Sequence, residues 1–253
     1  MKILKYLMIL LFLAMLFVVA GGSTPIVLAS PGPVAPDLGS AASFVGLAHE
    51  TFTNTGSGVY VGNIGVSPGT EVTGFPPGSV RNGAIHIADG VAAQAMSDAT
   101  TAYNALAVQD CTSNLTGQDL GGMTLTPGVY CFDTSAQLTG ALVLDAQNNS
   151  LAVWVFKIGS TLTTASASSV TMIKGGKALN VFWQVGSSAT LGTTTRFSGN
   201  ILALDSVTLT DGASMVGRAF GLTGAVTMDT TDAPAPIANT PLRWFYYLPL
   251  IFR

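Results

Sequence analysis

Charge is scarce in this sequence. Only 9% of its 253 residues are Asp, Glu, Lys or Arg, against about 25% in an ordinary soluble domain. Ten basic residues face thirteen acidic ones without a concentrated basic stretch, which excludes the clustered basic face that nucleic acid requires. Histidine and cysteine are rarer still. His49 and His86 have no Cys or His neighbours at ligand spacing, so no zinc site is expected. The recurring Gly-Gly-x-Gly-x-Asp of calcium-binding repeats is missing as well. The acids stand singly, and Asp145, Asp205, Asp211 and Asp229 fall where strands end and turns begin. That excludes the paired carboxylates of carbohydrate-cleaving β-helices. One motif points the other way. Gly65-Val66-Ser67-Pro68-Gly69 matches a nucleophile elbow, but Pro68 and a strand pattern follow the serine where the elbow needs a helix. A turn between coils accounts for it, and no catalytic residue, metal or cofactor is expected.

Long apolar runs are also few, and the clearest is N-terminal. Lys2 and Lys5 precede the run Tyr6–Ala20, and Val27-Leu28-Ala29-Ser30 supplies small residues for cleavage. Residues 1–29 therefore read as a secretory signal peptide, with an uncleaved membrane anchor as the alternative. Either way the chain is exported, to the medium or the cell surface. Without residues 1–29, eight basic residues remain against thirteen acidic ones, a formal charge of −5. Export makes a disulfide the default reading of Cys111 and Cys131. Closing a loop of that length would stabilise by about 3 kcal/mol.

What is abundant is threonine at regular intervals. Thr161-Leu162-Thr163-Thr164, Ser188-Ala189-Thr190-Leu191, Ser206-Val207-Thr208-Leu209 and Ala225-Val226-Thr227-Met228 align, with central threonines 27, 18 and 19 residues apart. Phe52-Thr53 and Val72-Thr73 add two more, 20 apart. A strand in each repeat of about 19 residues indicates a β-solenoid. Side chains alternate along a strand, so Val207 and Leu209 face the core while Thr208 faces water. Stacked coils would set the threonines in a row about 4.7–4.9 Å apart. The expected site is Thr53, Thr73, Thr163, Thr190, Thr208 and Thr227, flanked by Thr51, Thr55, Thr161, Ser188, Ser206 and Thr210. The third strand set, with Thr171 and Thr195, is the alternative face. Solvent-facing sheets normally carry charge against association, and a flat face that avoids it suits a regular, neutral partner such as ice. The 27-residue step suggests a break in register between Thr163 and Thr190.

The remaining segments are defined by period and punctuation. Residues 30–37, with Pro31, Pro33 and Pro36, form a linker. Two coils run from Ala42 to about Phe75, where Pro76-Pro77-Gly78 ends the strand pattern. Ile85, Ala88, Ala92, Ala95, Ala99, Ala102 and Leu106 step by 3 and 4, predicting a helix over 85–108 whose alanine stripe lies against the solenoid. Residues 109–140 break both periods and contain the cysteines, which predicts an irregular cap. Strands apolar on both faces, such as Val153-Trp154-Val155-Phe156, mark the side that receives the helix. Residues 233–253 are a Pro-rich spacer and an aromatic tail, which is either a segment for cell-envelope association or a strand-like end that packs on the body.

From Leu38 to about Thr231 the chain resembles the secreted microbial ice-binding proteins of the DUF3494 type. The stretches that carry the likeness include Leu38-Gly39-Ser40-Ala41-Ala42-Ser43-Phe44, Val72-Thr73-Gly74-Phe75-Pro76-Pro77-Gly78, Leu125-Thr126-Pro127-Gly128-Val129-Tyr130 and Gly199-Asn200-Ile201-Leu202-Ala203. The resemblance implies a mainly β fold: a right-handed, discontinuous β-solenoid of triangular cross-section, one long α-helix alongside, and a capping subdomain. Domain 38–232 would then adsorb to ice as a monomer, without cofactor, giving thermal hysteresis and inhibition of ice recrystallisation. The alternative is a cell-surface adhesin or glycan-binding solenoid; an aromatic row on an exposed face would favour glycan binding, and the threonine rows lack one.

Overall fold

The computed structural model describes residues 32–229 and the short strand Ile237–Ala238. The expected signal peptide and the aromatic tail lie outside the described residues. In chain order come β1 (Phe44–Ala48), β2 (Thr51–Asn54), β3 (Val59–Val61), β4 (Asn63–Val66), β5 (Glu71–Thr73), β6 (Ser79–Arg81) and β7 (Ile85–Ile87), then the helix α1 (Gly90–Ala107). After it run β8 (Ser113–Asn114), β9 (Thr124–Leu125), β10 (Gly128–Phe132), β11 (Ala136–Leu138), β12 (Ala141–Asp145), β13 (Trp154–Ile158), β14 (Leu162–Thr164) and β15 (Ser169–Ile173). β16 (Val181–Val185), β17 (Ala189–Leu191), β18 (Arg196–Ala203), β19 (Val207–Leu209), β20 (Ser214–Gly221), β21 (Val226–Met228) and β22 (Ile237–Ala238) complete the set.

Neighbouring strands pair in parallel, coil upon coil, and each coil contributes to three faces in turn. The helix side stacks β8, β10, β13, β16, the later halves of β18 and β20, then β1, β4 and β7. The threonine face stacks β11, β14, β17, β19, β21, β2 and β5. The third face stacks β9, β12, β15, the earlier halves of β18 and β20, then β22, β3 and β6. This is the expected β-solenoid, and it is discontinuous. The N-terminal coils stack on the last C-terminal coil, β1 on β20 and β2 on β21, with β22 slotted between β20 and β3.

The interior is mainly apolar, with a few hydrogen-bonded polar side chains such as Asn54, Thr164 and Thr195, and equivalent positions of successive coils hold a ladder of rings. Tyr130 stacks on Phe156 at 5.6 Å, Phe156 on Trp183 at 3.9 Å, and Phe197 tilts against Trp183 at 4.9 Å between centroids. In-register parallel strands place like side chains one strand spacing apart, which puts flat rings face to face. The central helix-side strands, such as β1, β10 and β16, are buried on both surfaces. Phe44, Leu47, Val155, Phe182, Leu202 and Phe220 point outward under α1, where they meet Ala95, Met96, Ala99, Ala102 and Leu106. The alanine stripe thus lies where its small side chains allow close approach.

Five local expectations are corrected. The helix starts at Gly90 rather than 85. Ile85-His86-Ile87 is a strand paired to β4, and Asp89 caps the helix by accepting from the Ala92 N–H. The strand pattern continues past Pro76-Pro77 into β6. Residues 109–140 do close the end of the solenoid, but as solenoid: β8 and β9 extend two faces, Asp119 bridges Gln137 on the threonine side, and β10 and β11 begin the next coil. The Pro-rich spacer contributes β22. Finally, the 27-residue step does not break the register, since Thr163 pairs directly with Thr190. The extra chain bulges at the corner between β15 and β16, away from the threonines. Later coils turn that corner inside one strand, at Gly217 and Gly199. Gly217 has φ +147°, and a Cβ there would overlap the Gly199 carbonyl oxygen.

Candidate functional site: the threonine face

On the threonine face, Ala136, Leu138, Leu162, Ala189, Leu191, Val207, Leu209, Val226, Met228 and Phe52 point into the core and are essentially buried. Alternation then turns the residue between them outward. The six predicted central threonines form one uninterrupted row in register: Thr163 beside Thr190, then Thr208, Thr227, Thr53 and Thr73. At one end Gln137 pairs with Thr163 and extends the row. At about 4.8 Å per strand the seven positions span roughly 29 Å.

The hydroxyls divide by what they bond. None of the six central threonine side chains has a hydrogen-bond partner among the described residues. Several flanking hydroxyls, by contrast, tie coil to coil. Thr210 Oγ1 donates to the Leu191 carbonyl at 2.8 Å, Thr55 Oγ1 to Asp229 Oδ1 at 2.9 Å, and Thr161 Oγ1 to Ser135 Oγ at 2.9 Å. Ser206 Oγ accepts from the Ala225 N–H at 3.1 Å, and Ser188 Oγ accepts from the Ser206 N–H at 3.4 Å. Thr51 sits beside Glu71 at one end of the face. The flanking columns hold the plane rigid, and the central column presents methyl and hydroxyl to solvent. Glu71 is the one charged residue within the strands of this face.

Other candidates are absorbed by the fold. On the third face Thr171 is exposed, but Thr195 is fully buried, its hydroxyl 2.9 Å from that of Thr164. That set therefore makes no second outward threonine row. Strand alternation explains the miss: Thr195 precedes β18 and turns with the corner instead of following the strand. Ser67 is buried in the turn between β4 and β5, and its backbone N–H donates to the Ala48 carbonyl. His86 Nδ1 lies 2.8 Å from Asp89 Oδ2. Cys111 and Cys131 form the expected disulfide. Among the described residues no aromatic side chain is exposed, so the row of rings a glycan-binding face would need is missing. Sequence reasoning overlooked Gln137 because residues 109–140 were read as outside the solenoid; its place in Ala136-Gln137-Leu138, polar between two apolar residues, is the signal that could have found it.

A parallel β-solenoid with a helix along one side and a flat, nearly uncharged hydroxyl face defines a surface-binding class of protein rather than one organised around a cleft. The comparisons specify the class further. Residues 46–233 match the Ice-binding-like family model, and the chain belongs to that family. It is 58% identical over 194 residues to an ice-binding protein of Nostoc sp. (strain HG1), covering 76% of this chain and 71% of that one. It is 34% identical over 230 residues to ice-binding protein 1 of Shewanella frigidimarina, covering 78% of this chain but 26% of that longer protein. The crystal structure of an ice-binding protein from the Antarctic ascomycete Antarctomyces psychrotrophicus superposes with a TM-score of 0.77 at 38% identity, covering 83% of this chain and all of that one.

Proposed function

We propose that this chain is an exported, monomeric, non-enzymatic protein that adsorbs to ice through the threonine face, giving thermal hysteresis and inhibiting ice recrystallisation. The observation that carries the reading is the in-register row of six threonines whose hydroxyls have no protein partner among the described residues. Such hydroxyls can order water into the lattice while the methyls between them hold it in place. The inter-coil spacing is comparable to the ice repeat, so successive threonines meet successive lattice positions. Each contact is weak, and adsorption comes from many made at once by a plane that the flanking hydrogen bonds keep flat.

The test is thermal hysteresis and recrystallisation inhibition on the chain freed of residues 1–29, which should be active at micromolar concentration. Thr208 lies inside the row with Thr190 on one side and Thr227 on the other. Thr208→Tyr should remove most of the activity by lifting ice off the plane, while the Tm moves by no more than about 2 °C, because an outward ring disturbs no core contact. Full activity in that variant would move the ice-binding site to another face.

A further inference from the structure

The chain turns from the third face to the helix side between β6 and β7 on the pair Asn82-Gly83, and the fold dictates both residues. Asn82 has φ +52°, the left-handed region that asparagine and glycine enter most readily. Gly83 lies against the coil beneath, where a Cβ would overlap the Gly62 carbonyl, so a larger residue does not fit. The chain is anchored on both sides of the pair. The Gly62 N–H donates to the Arg81 carbonyl at 2.9 Å, the Ile64 N–H to the Ala84 carbonyl at 3.0 Å, and the Ala84 N–H to Asn63 Oδ1 at 2.9 Å. Between these anchors the pair is exposed. Among the described residues neither the Asn82 side chain nor the Gly83 N–H has a hydrogen-bond partner.

That combination carries a chemistry of its own. The nitrogen of the residue after an asparagine can close a five-membered ring on the side-chain amide carbon, and the reaction is intramolecular and so favoured by proximity. A side chain on that next residue crowds the attacking nitrogen, and glycine has none. Asn82 is the one asparagine in the chain followed by glycine. The side chains of Asn54, Asn63, Asn114, Asn149, Asn180 and Asn200 are held by hydrogen bonds. Asn104 and Asn148 precede Ala105 and Asn149, which have side chains to obstruct the approach.

We propose that Asn82 is a site of spontaneous deamidation, and that its isoaspartate product loosens β7. Hydroxide removes the Gly83 N–H proton, and the nitrogen attacks Asn82 Cγ. The Cγ–Nδ2 bond breaks and ammonia leaves with a proton from water, giving a cyclic imide. Water then opens the ring. Cleavage of the Cγ–N bond gives aspartate, whereas cleavage between the Asn82 carbonyl carbon and that nitrogen gives isoaspartate. Overall one water is consumed and one ammonia released, with no oxidation or reduction. Isoaspartate lengthens the backbone by one carbon. Between the anchored Arg81 and Ala84 there is no slack for it, so the displacement falls on Ala84 and on β7, which pairs with β4 alone. The site lies off the threonine face, and the proposal is independent of the ice-binding reading.

The test is peptide mapping by mass spectrometry of the folded chain freed of residues 1–29, aged in buffer. The mass gain of an amide becoming an acid should appear first at Asn82, about tenfold or more ahead of any other described asparagine. Because the Gly83 nitrogen must lose its proton, conversion should be about tenfold or more faster at about pH 9 than at about pH 7. Labelling by an isoaspartate methyltransferase should grow in parallel. In the aged protein, amide hydrogen exchange should quicken over Ile85–Ile87 and stay unchanged in β19 and β21. Asn82→Gly keeps the positive φ and lacks the amide, so it should show neither the mass gain at this position nor the faster exchange. No conversion of Asn82 at about pH 9, conversion no faster than at Asn104 or Asn148, or equal loosening of β7 in aged Asn82→Gly would each overturn the proposal.

Discussion

Thr208 and Thr210 are two residues apart on the same surface, yet one hydroxyl has no partner among the described residues and the other is bonded to the Leu191 carbonyl. Strand alternation in the sequence shows both as outward but says nothing of this division, because it depends on which carbonyl of the neighbouring coil lies within reach. Arg218 is another residue whose role only packing reveals. It is 6% exposed, and burial lowers the pKa of its guanidinium to about 10. It donates to the Ala42 carbonyl at 2.6 Å and to Asn200 Oδ1 at 2.8 Å, and so pins the start of the N-terminal coils onto the C-terminal ones. Arg218→Ala would leave the buried Asn200 Oδ1 and the Ala42 carbonyl without these donors. We expect a loss of about 3 kcal/mol in urea unfolding, with ice activity per folded molecule unchanged, since the residue is far from the threonines.

Among the elements, α1 was legible because six of its buried positions follow the helical period, and its start was not, because Ile85 and Ala88 happen to continue that period upstream. Tertiary pairing decides the boundary: Ile85-His86-Ile87 gains a ladder with β4, and Asp89 stops the extended chain by capping the helix. Ala99, fully buried in the middle of the stripe, shares its core with Phe44, Leu47 and Phe220. Ala99→Leu should force the helix off the sheet and cost about 1–3 kcal/mol, measured as a lower denaturation midpoint. Exposed Ala93, substituted the same way, should change stability by less than about 0.5 kcal/mol. Equal effects at the two positions would mean that the helix is not packed by this face.

For the whole molecule, period and alternation disclosed the solenoid and six of the seven central positions, but not the seam. Nothing in the spacing of Thr53 and Thr73 indicates that they stack beyond Thr227; it takes β22 and the parallel pairing of β2 with β21 to join two segments of distant sequence into one plane. That plane contains no titratable group among its six threonines, whereas several joints elsewhere do. Asp98 accepts from the Ser40 hydroxyl and N–H, tying the N-terminal turn to α1, and these bonds lower its pKa below the ordinary 3.8. At Asp119 burial pushes upward, but bonds from the Thr139 hydroxyl and N–H and the Gly121 N–H outweigh it, so this carboxyl too is lowered. Asp89 is lowered by the Ala92 N–H and His86, and Asp145 by Lys174. A carboxylate whose pKa is depressed on folding adds stability above its unfolded value and loses it as pH falls through the folded one. The Tm should therefore be insensitive to these groups from about pH 5 to 8 and fall below about pH 4. Thermal hysteresis per folded molecule should stay level across the whole range, because the groups that titrate hold the coils together and the threonines proposed to meet ice do not titrate. A hysteresis that declines between about pH 5 and 8 while the Tm holds would place an ionisable group in the ice contact, with Glu71 beside Thr51 the first to replace by Gln.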